Sequence, residues 1–393
     1  MALRSREELR VIACLFLVLF IGVADNQVLS PLLPAIRTQF SRSSSEMGYL
    51  YTGYSFCAGI SVLLWGPLSD AFGRKKGLLY GLMIFTAGSL ISFLSTGFAI
   101  LLAGRILTGM GASMLSLNSI SYAGDFFPYQ NRGWAMGFIM SSYFAALILG
   151  VPFGSWIGER LGWKMVFGIL GAISLVLLVV ILWLLPAINR RTESDVTPAG
   201  YIRQYLDFLR KRSSIGALLC SLFASGGTMG FLAFLGSWLH DSFGISTGKI
   251  GLVFLASGSA ALLASPLAGS IADKIGKRLQ FIFSSIALAV LLCILPGLHW
   301  GWLLYLVFGL ISLSAAFRQG PMEAVLTEIV GPASRGTFVA LKNSFSQLGI
   351  GLTTLASGIL FEIHGYRSVC LLGAALSLLA TAGMFLTFRE RRL

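Results

Sequence analysis

An all-α membrane protein, with about twelve helices crossing a bilayer in two pseudo-symmetric six-helix bundles, is the fold this sequence predicts, on three observations. Of the 393 residues, 56% are apolar and 11% charged, about half the charge of an average soluble domain, and the mean hydropathy is +0.82. The apolar residues come in runs of roughly twenty, the length that crosses a hydrocarbon core of about 30 Å. Polar and glycine residues also recur at one offset of 203 positions, relating Gly48 to Gly251, Asp70 to Asp273, Gly73 to Gly276, Asp125 to Glu328, Arg132 to Arg335, Glu159 to Glu362 and Gly162 to Gly365. A single register held over more than a hundred residues points to duplication of a six-helix unit.

The runs can be taken in order. Arg4, Arg6 and Arg10 precede an apolar run that continues to Ile36 without a small-residue cleavage site, so it reads as a first span and not as a removed leader. Spans then fall at about 46–68, 77–96, 98–124, 133–157 and 163–185. The boundary between the third and fourth, near Ser95-Thr96-Gly97, is the weakest. A polar connection follows, and the second set lies at about 214–240, 246–270, 279–297, 300–327, 336–360 and 366–388. The chain therefore divides into a first bundle (1–185), a linker (186–213) and a second bundle (214–393). Within the linker, Tyr201 to Leu209 reads as a short amphipathic helix suited to lie along lipid headgroups beside Arg203, Arg210, Lys211 and Arg212.

This composition excludes a soluble enzyme. The net charge of +13 does not mark a nucleic-acid binder, because the basic residues sit in short clusters between apolar runs and not along one face. Their distribution is topological. Twenty of the 29 Lys and Arg residues lie on the side shared by both termini, six on the opposite side and three within spans. That bias predicts cytoplasmic termini. Cys14, Cys57, Cys220, Cys293 and Cys370 stand singly in apolar runs, with neither disulfide nor metal spacing. No phosphate-binding loop occurs, and no cofactor or metal is expected.

The connection between the second and third spans reads Gly66-Pro67-Leu68-Ser69-Asp70-Ala71-Phe72-Gly73-Arg74-Lys75-Lys76. It resembles the loop between helices 2 and 3 of the major facilitator superfamily, loosely G-x-L-x-D-x-x-G-R-K/R. The resemblance covers nearly the whole chain and is nearest to the twelve-helix drug:H+ antiporter group. It implies two halves that rock about a central substrate site near the midplane. It also implies a cytoplasmic gate built from Asp70, Arg74, Asp125, Arg132, Asp273, Glu328 and Arg335, with Asp70 capping the start of helix 11 and Arg74 pairing with Asp125.

Several polar residues interrupt the spans. Asp25 falls near mid-bilayer, where a carboxylate costs several kcal/mol unless paired, hydrated or protonated. It is either a proton carrier or a structural carboxylate bonded to a neighbouring helix. Arg105, in Arg105-Ile106-Leu107-Thr108-Gly109-Met110-Gly111, resembles the family's helix-4 pattern R-x-x-x-G-x-G. A guanidinium cannot neutralise itself, and Asp25 is its natural partner. In helix 5, Gly150, Pro152, Gly154 and Gly158 look like a degraded antiporter signature, with Ala146 at its first glycine and Val151 splitting the Gly-Pro pair. These small residues are expected to pack helix 5 against helix 8, with Pro152 bending it. In helix 10, Arg318 could bind an anionic group, while Glu323 could pair with Arg318 or with Lys342, or be hydrated near the membrane face. Asn26, Gln27, Asn118, Tyr143, Asn343 and Gln347 complete the expected substrate cavity.

Together these features predict a proton-coupled secondary transporter exporting a small organic or amphipathic compound from a bacterial-type inner membrane. A facilitative or proton-coupled carrier of a metabolite, sugar or lipid-like molecule is the alternative, and a non-transporting sensor the reading from another class. The expected partners are a small-molecule substrate, protons and membrane lipids, with no nucleic acid, and the chain is expected to act as a monomer.

Overall fold

A computed structural model describes residues 6–187, 198–330 and 334–387. Among these, eleven helices are long and apolar enough to cross a membrane, and the bent pair Arg6–Gln27 and Leu29–Phe40 makes a twelfth. That pair is span 1, broken at Val28 with a 45° bend. Spans 2 to 4 are Ser44–Phe72, Arg74–Phe93 and Phe98–Phe126, and span 6 is Trp163–Leu184. Span 5 is composite, running through Tyr129–Met140, Ser142–Ala145, a π-helical turn Ala146–Gly150 and Val151–Leu161. The π turn ends just before Pro152, which has no N–H to continue the regular ladder. Spans 7 to 12 are Arg212–Phe243, Thr247–Ile275, Lys277–Ile294, Trp302–Glu328, Arg335–His364 and Tyr366–Thr387.

The duplication is legible in the backbone. Gly73 and Gly276, at the turns after spans 2 and 8, have φ of 93° and 94°. Gly162 and Gly365, after spans 5 and 11, have φ of 87° and 72°. All four lie in the left-handed region that side-chain-bearing residues avoid, so glycine is what permits helix to follow helix directly there. Each pair is related by the same 203-residue offset.

The two halves share their apolar core at one face. At the face remote from the start of span 1, hereafter the far face, one apolar cluster runs through both halves, from Leu29, Leu33 and Leu50 to Phe231, Phe254 and Leu288. Toward the termini face the core divides into a cluster drawn from the first half and another drawn from the second half and the linker helix. The contact at the far face is close: Ser30 Oγ donates to the Leu232 carbonyl oxygen at 2.6 Å and accepts from Gly236 N–H at 3.2 Å.

The linker helix, Pro198–Arg210, buries Phe208 edge-on against Phe338 of span 11, while Tyr205 Oη donates to the Leu63 carbonyl of span 2 at 3.5 Å. It thus touches both halves. Its other stripe, Ile202, Leu206 and Leu209, is exposed. The preceding linker residues 188–197 lie outside those described.

Within the first half, spans 2 and 4 meet so closely that a Cβ on Gly109 would stand 2.3 Å from the Tyr54 carbonyl oxygen. Gly124, near the end of the same span, has nothing within 4 Å of that position. Gly109→Ala is expected to lower the thermal midpoint of the purified protein, at an overpacking cost of about 1–3 kcal/mol. Gly124→Ala in the same melting experiment should leave it unchanged or raise it.

Candidate functional site

Asp25 and Arg105 are both fully buried and bonded to each other. Arg105 Nη1 donates to both carboxylate oxygens of Asp25 at 2.8 Å, tying span 1 to span 4 just below the bend at Val28. The guanidinium lies over the ring faces of Tyr54 (4.9 Å) and Phe167 (5.3 Å), from spans 2 and 6. Its Nε and Nη2 have no hydrogen-bond partner. Aromatic faces attract a cation without accepting its remaining protons as a carboxylate would. The pair is therefore neutral overall and only half-satisfied on the arginine side.

A second buried arrangement occupies the other half. Lys342 of span 11 donates to both oxygens of Glu323 of span 10 at 2.5 Å. Lys342 is 4% exposed and Glu323 38%, so the carboxylate has an open side. Gln319 Nε2 donates to Glu323 at 3.4 Å. Of Arg318 and Lys342, the structure pairs Glu323 with Lys342. Arg318 points elsewhere, donating through Nη1 to Ser377 Oγ at 3.3 Å and through Nη2 to the Ala224 carbonyl at 2.9 Å and to Thr228 Oγ1.

The remaining expected cavity residues divide. Asn26, Gln27, Tyr143, Asn343 and Gln347 are partly or well exposed although they sit within spans. Gln27 Nε2 reaches Met229 Sδ of span 7 at 3.9 Å. Tyr143, 39% exposed, lies beside Ser116 and within electrostatic reach of Glu323 across the halves. Gln27 and Tyr143 thus lie at the boundary between the halves. Asn118 does not belong with them. It is fully buried, donates to the Met114 carbonyl at 2.8 Å, and its amide fills the space that a Cβ on Gly77 of span 3 would need. An intraspan amide needs a partner, and here a neighbouring turn and a helix–helix contact supply its surroundings.

The helix-5 glycines also differ from expectation. A Cβ on Gly150, Gly154 or Gly158 would meet Ala24, Val28 or Leu32, all of span 1, at 2.8, 2.6 and 2.3 Å. Span 5 does contact span 8, but the glycines at that contact belong to span 8. A Cβ on Gly251 would strike Ser155 and Pro152, and one on Gly258 would strike Leu147. The glycine stripe of span 5 thus seats span 1 beside its bend.

Of the expected gate, Arg74 Nε stands 3.5 Å from Asp125, and Arg74 Nη1 donates to Ser69 Oγ at 2.5 Å. Arg132 donates to the Phe127 carbonyl at 3.4 Å, and Arg335 is exposed at the start of span 11. The side chains of Asp70, Asp273 and Glu328 lie outside those described.

Sequence reasoning passed over a gate at the opposite face. Arg37 and Asp241 form an ion pair at 2.8 Å between spans 1 and 7. Glu159, near the end of span 5, accepts the Gly248 N–H at the start of span 8 at 2.5 Å. Glu362, near the end of span 11, accepts the Ser45 N–H at the start of span 2 at 2.9 Å. Each half thus places a carboxylate on a helix N-terminus of the other, where the free N–H groups and the helix dipole favour negative charge. The two latches are one contact repeated, since 159 and 362, and 45 and 248, differ by the same 203 positions. That offset was the signal available in the sequence.

A broken first helix, two duplicated bundles and ionisable pairs buried within the spans describe a polytopic membrane protein. The family model of the Major Facilitator Superfamily matches residues 15–215 and 217–393. The chain is 30% identical over 372 residues to the MFS-type transporter YwfA of Bacillus subtilis (strain 168), covering 92% of this chain and 87% of that one. It is 24% identical over 360 residues to the probable sugar efflux transporter of Helicobacter acinonychis (strain Sheeba), covering 89% and 88%. Among solved structures it resembles a D-xylose-proton symporter, with a TM-score of 0.78, 18% identity and coverage of 97% and 98%. The chain belongs to the major facilitator superfamily, and it is a multi-pass membrane transporter and not an enzyme.

The latches carry an expected outcome. In a cysteine-free background with a reporter cysteine at the buried far-face position Met47 (Met47→Cys), Glu159→Ala and Glu362→Ala should each speed labelling by a membrane-impermeant maleimide about two- to fivefold. That is the range a single charge at a helix end supplies. The double variant should be roughly multiplicative, because each latch acts on the same opening.

Proposed function

We propose that the chain is a proton-coupled secondary transporter that exports a small organic or amphipathic compound across a bacterial-type cytoplasmic membrane, with both termini cytoplasmic. The observation that carries this reading is the buried Asp25–Arg105 pair. The lysine and arginine bias supports the orientation. With that orientation the apolar cluster shared by the halves lies at the outer face, which supports an inward-facing arrangement. The halves 1–185 and 214–393 are the bodies that rock, and the linker helix rides at the headgroups through Ile202, Leu206 and Leu209. The gate residues Asp70, Arg74, Asp125 and Arg132, with Asp273, Glu328 and Arg335, would act when the cytoplasmic side closes.

The coupling follows from what span 1 touches. Below the bend at Val28 it is held to span 4 by Asp25, and above the bend it is held to span 7 by Ser30 and Arg37. A proton on Asp25 removes the negative charge, so Arg105 loses its counter-ion and the tie between spans 1 and 4 weakens. Span 1 then tilts more freely, and the far-face contacts it carries are loosened. Proton and cargo bias the same two-state element, which is what coupling requires. The name of the Helicobacter relative supports an efflux direction and leaves a sugar or related metabolite as the second reading for the cargo.

The test is reconstitution into liposomes with an internal pH dye, adding candidate compounds. Wild type should move protons when a transported compound is added. Asp25→Asn alone leaves a buried unpaired arginine, a cost of about 3–5 kcal/mol. The double variant Asp25→Asn/Arg105→Gln removes both charges and should fold yet lose coupled proton movement. Equal proton movement in wild type and double variant would overturn the role of the pair, and absence of any flux in wild type would favour a sensor.

A further inference from the structure

The spans hold one unmatched positive charge among the described residues. Among the described residues inside the spans, Arg105 is matched by Asp25 and Lys342 by Glu323. Arg318 is 2% exposed and has no carboxylate partner. Its ligands are a carbonyl and two hydroxyls, and its Nε has no hydrogen-bond partner. Carbonyls and hydroxyls solvate a guanidinium without neutralising it, and arginine cannot shed its proton to escape the cost.

The first half explains what is missing. There, an arginine on span 4 crosses to span 1 and lies over Phe167 of span 6. In the second half an arginine on span 10 crosses to span 7 and reaches Ser377 of span 12. Spans 4, 1 and 6 correspond to spans 10, 7 and 12, so an arginine ties the same three helices together in each half, from different turns of its span. The 203-residue offset that aligns the halves sets Thr228 at the place of Asp25. It also sets Phe308 at the place of Arg105 and Leu115 at that of Arg318, so the second half carries its arginine ten residues further along the corresponding span and has a hydroxyl where the first half has its acid.

We propose that the missing acid is supplied by the cargo: the transported compound carries a carboxylate that docks at Thr228 and Arg318. This deepens the transport reading and rests on it. Thr228 is partly exposed where Arg318 behind it is not, and its neighbour Met229 meets Gln27 of the first half, so the approach is from the boundary between the halves. The Thr228 hydroxyl, now an acceptor, can turn to donate to an arriving carboxylate. The planar guanidinium, with Nε–H unused, can then present two N–H groups to its oxygens. One excess charge matches one carboxylate.

The test uses the purified full-length protein in lipid nanodiscs and its thermal unfolding midpoint. Acetate, benzoate and cholate are each compared with the corresponding neutral amide. At least one carboxylate should raise the midpoint where its amide does not, and Arg318→Gln should lose that shift. Thr228→Asp supplies the acid internally, so it should raise the midpoint without any ligand and abolish the response to carboxylate. Three results each overturn the proposal: no carboxylate outperforms its amide, the shift survives in both variants, or Thr228→Asp lowers the midpoint. None of these readouts involves proton flux through Asp25, so a failure here is distinct from a failure of proton coupling.

Discussion

Hydrocarbon offers nothing to a charged side chain, so the ion pair between Asp25 and Arg105 fixes where span 1 lies. Both groups are fully buried, and either charge left without the other would be uncompensated. Span 1 is held from three sides. Arg105 grips it below the bend, the glycine stripe of span 5 lets it seat at Ala24, Val28 and Leu32, and Ser30 locks it onto span 7 above the bend. Of these ties, the one to Arg105 is the one that a single proton can undo. The helix that joins the halves at the far face is thereby the helix that carries the titratable group.

The two faces are held by different chemistry. The far face combines a continuous apolar cluster with carboxylates set on opposing helix N-termini, interactions that are individually modest and released without leaving a charge in hydrocarbon. Transport needs a closed state that is specific but not deep, and contacts at helix ends supply that. The interior pairs cost far more to break, so they suit a role in which a proton or a charged cargo compensates each change. Duplication gives the gates their symmetry. It leaves the interior asymmetric, because the halves have diverged at Asp25 and Thr228 and at Leu115 and Arg318.

The fold was legible before any coordinates. Run length, hydropathy and basic-residue bias are one-dimensional properties that a bilayer reads directly, and the span boundaries agree with the helices to within a few residues. The Asp25–Arg105 partnership was also legible, since an intramembrane arginine must find an acid. Other partnerships were not. Asn118 was expected in the substrate cavity and packs against span 3, the span 5 glycines were expected at span 8 and serve span 1, and Glu323 could have taken either cation. Periodicity shows that a residue leaves the lipid, but which neighbouring helix it meets depends on rotation and tilt.

The sequence by itself determined that this chain crosses a membrane about twelve times, that its halves are copies, and which few ionisable groups must be reconciled with hydrocarbon. Tertiary structure alone decided that the halves close at the far face through paired glutamate latches, that span 1 bends at Val28 beside its ion pair, and that Arg318 reaches the threonine that stands where the first half has Asp25. The physical reason is that burial in lipid is a property of composition along the chain. The pairing of charges and helix ends is a property of distances between segments some 80 to 300 residues apart.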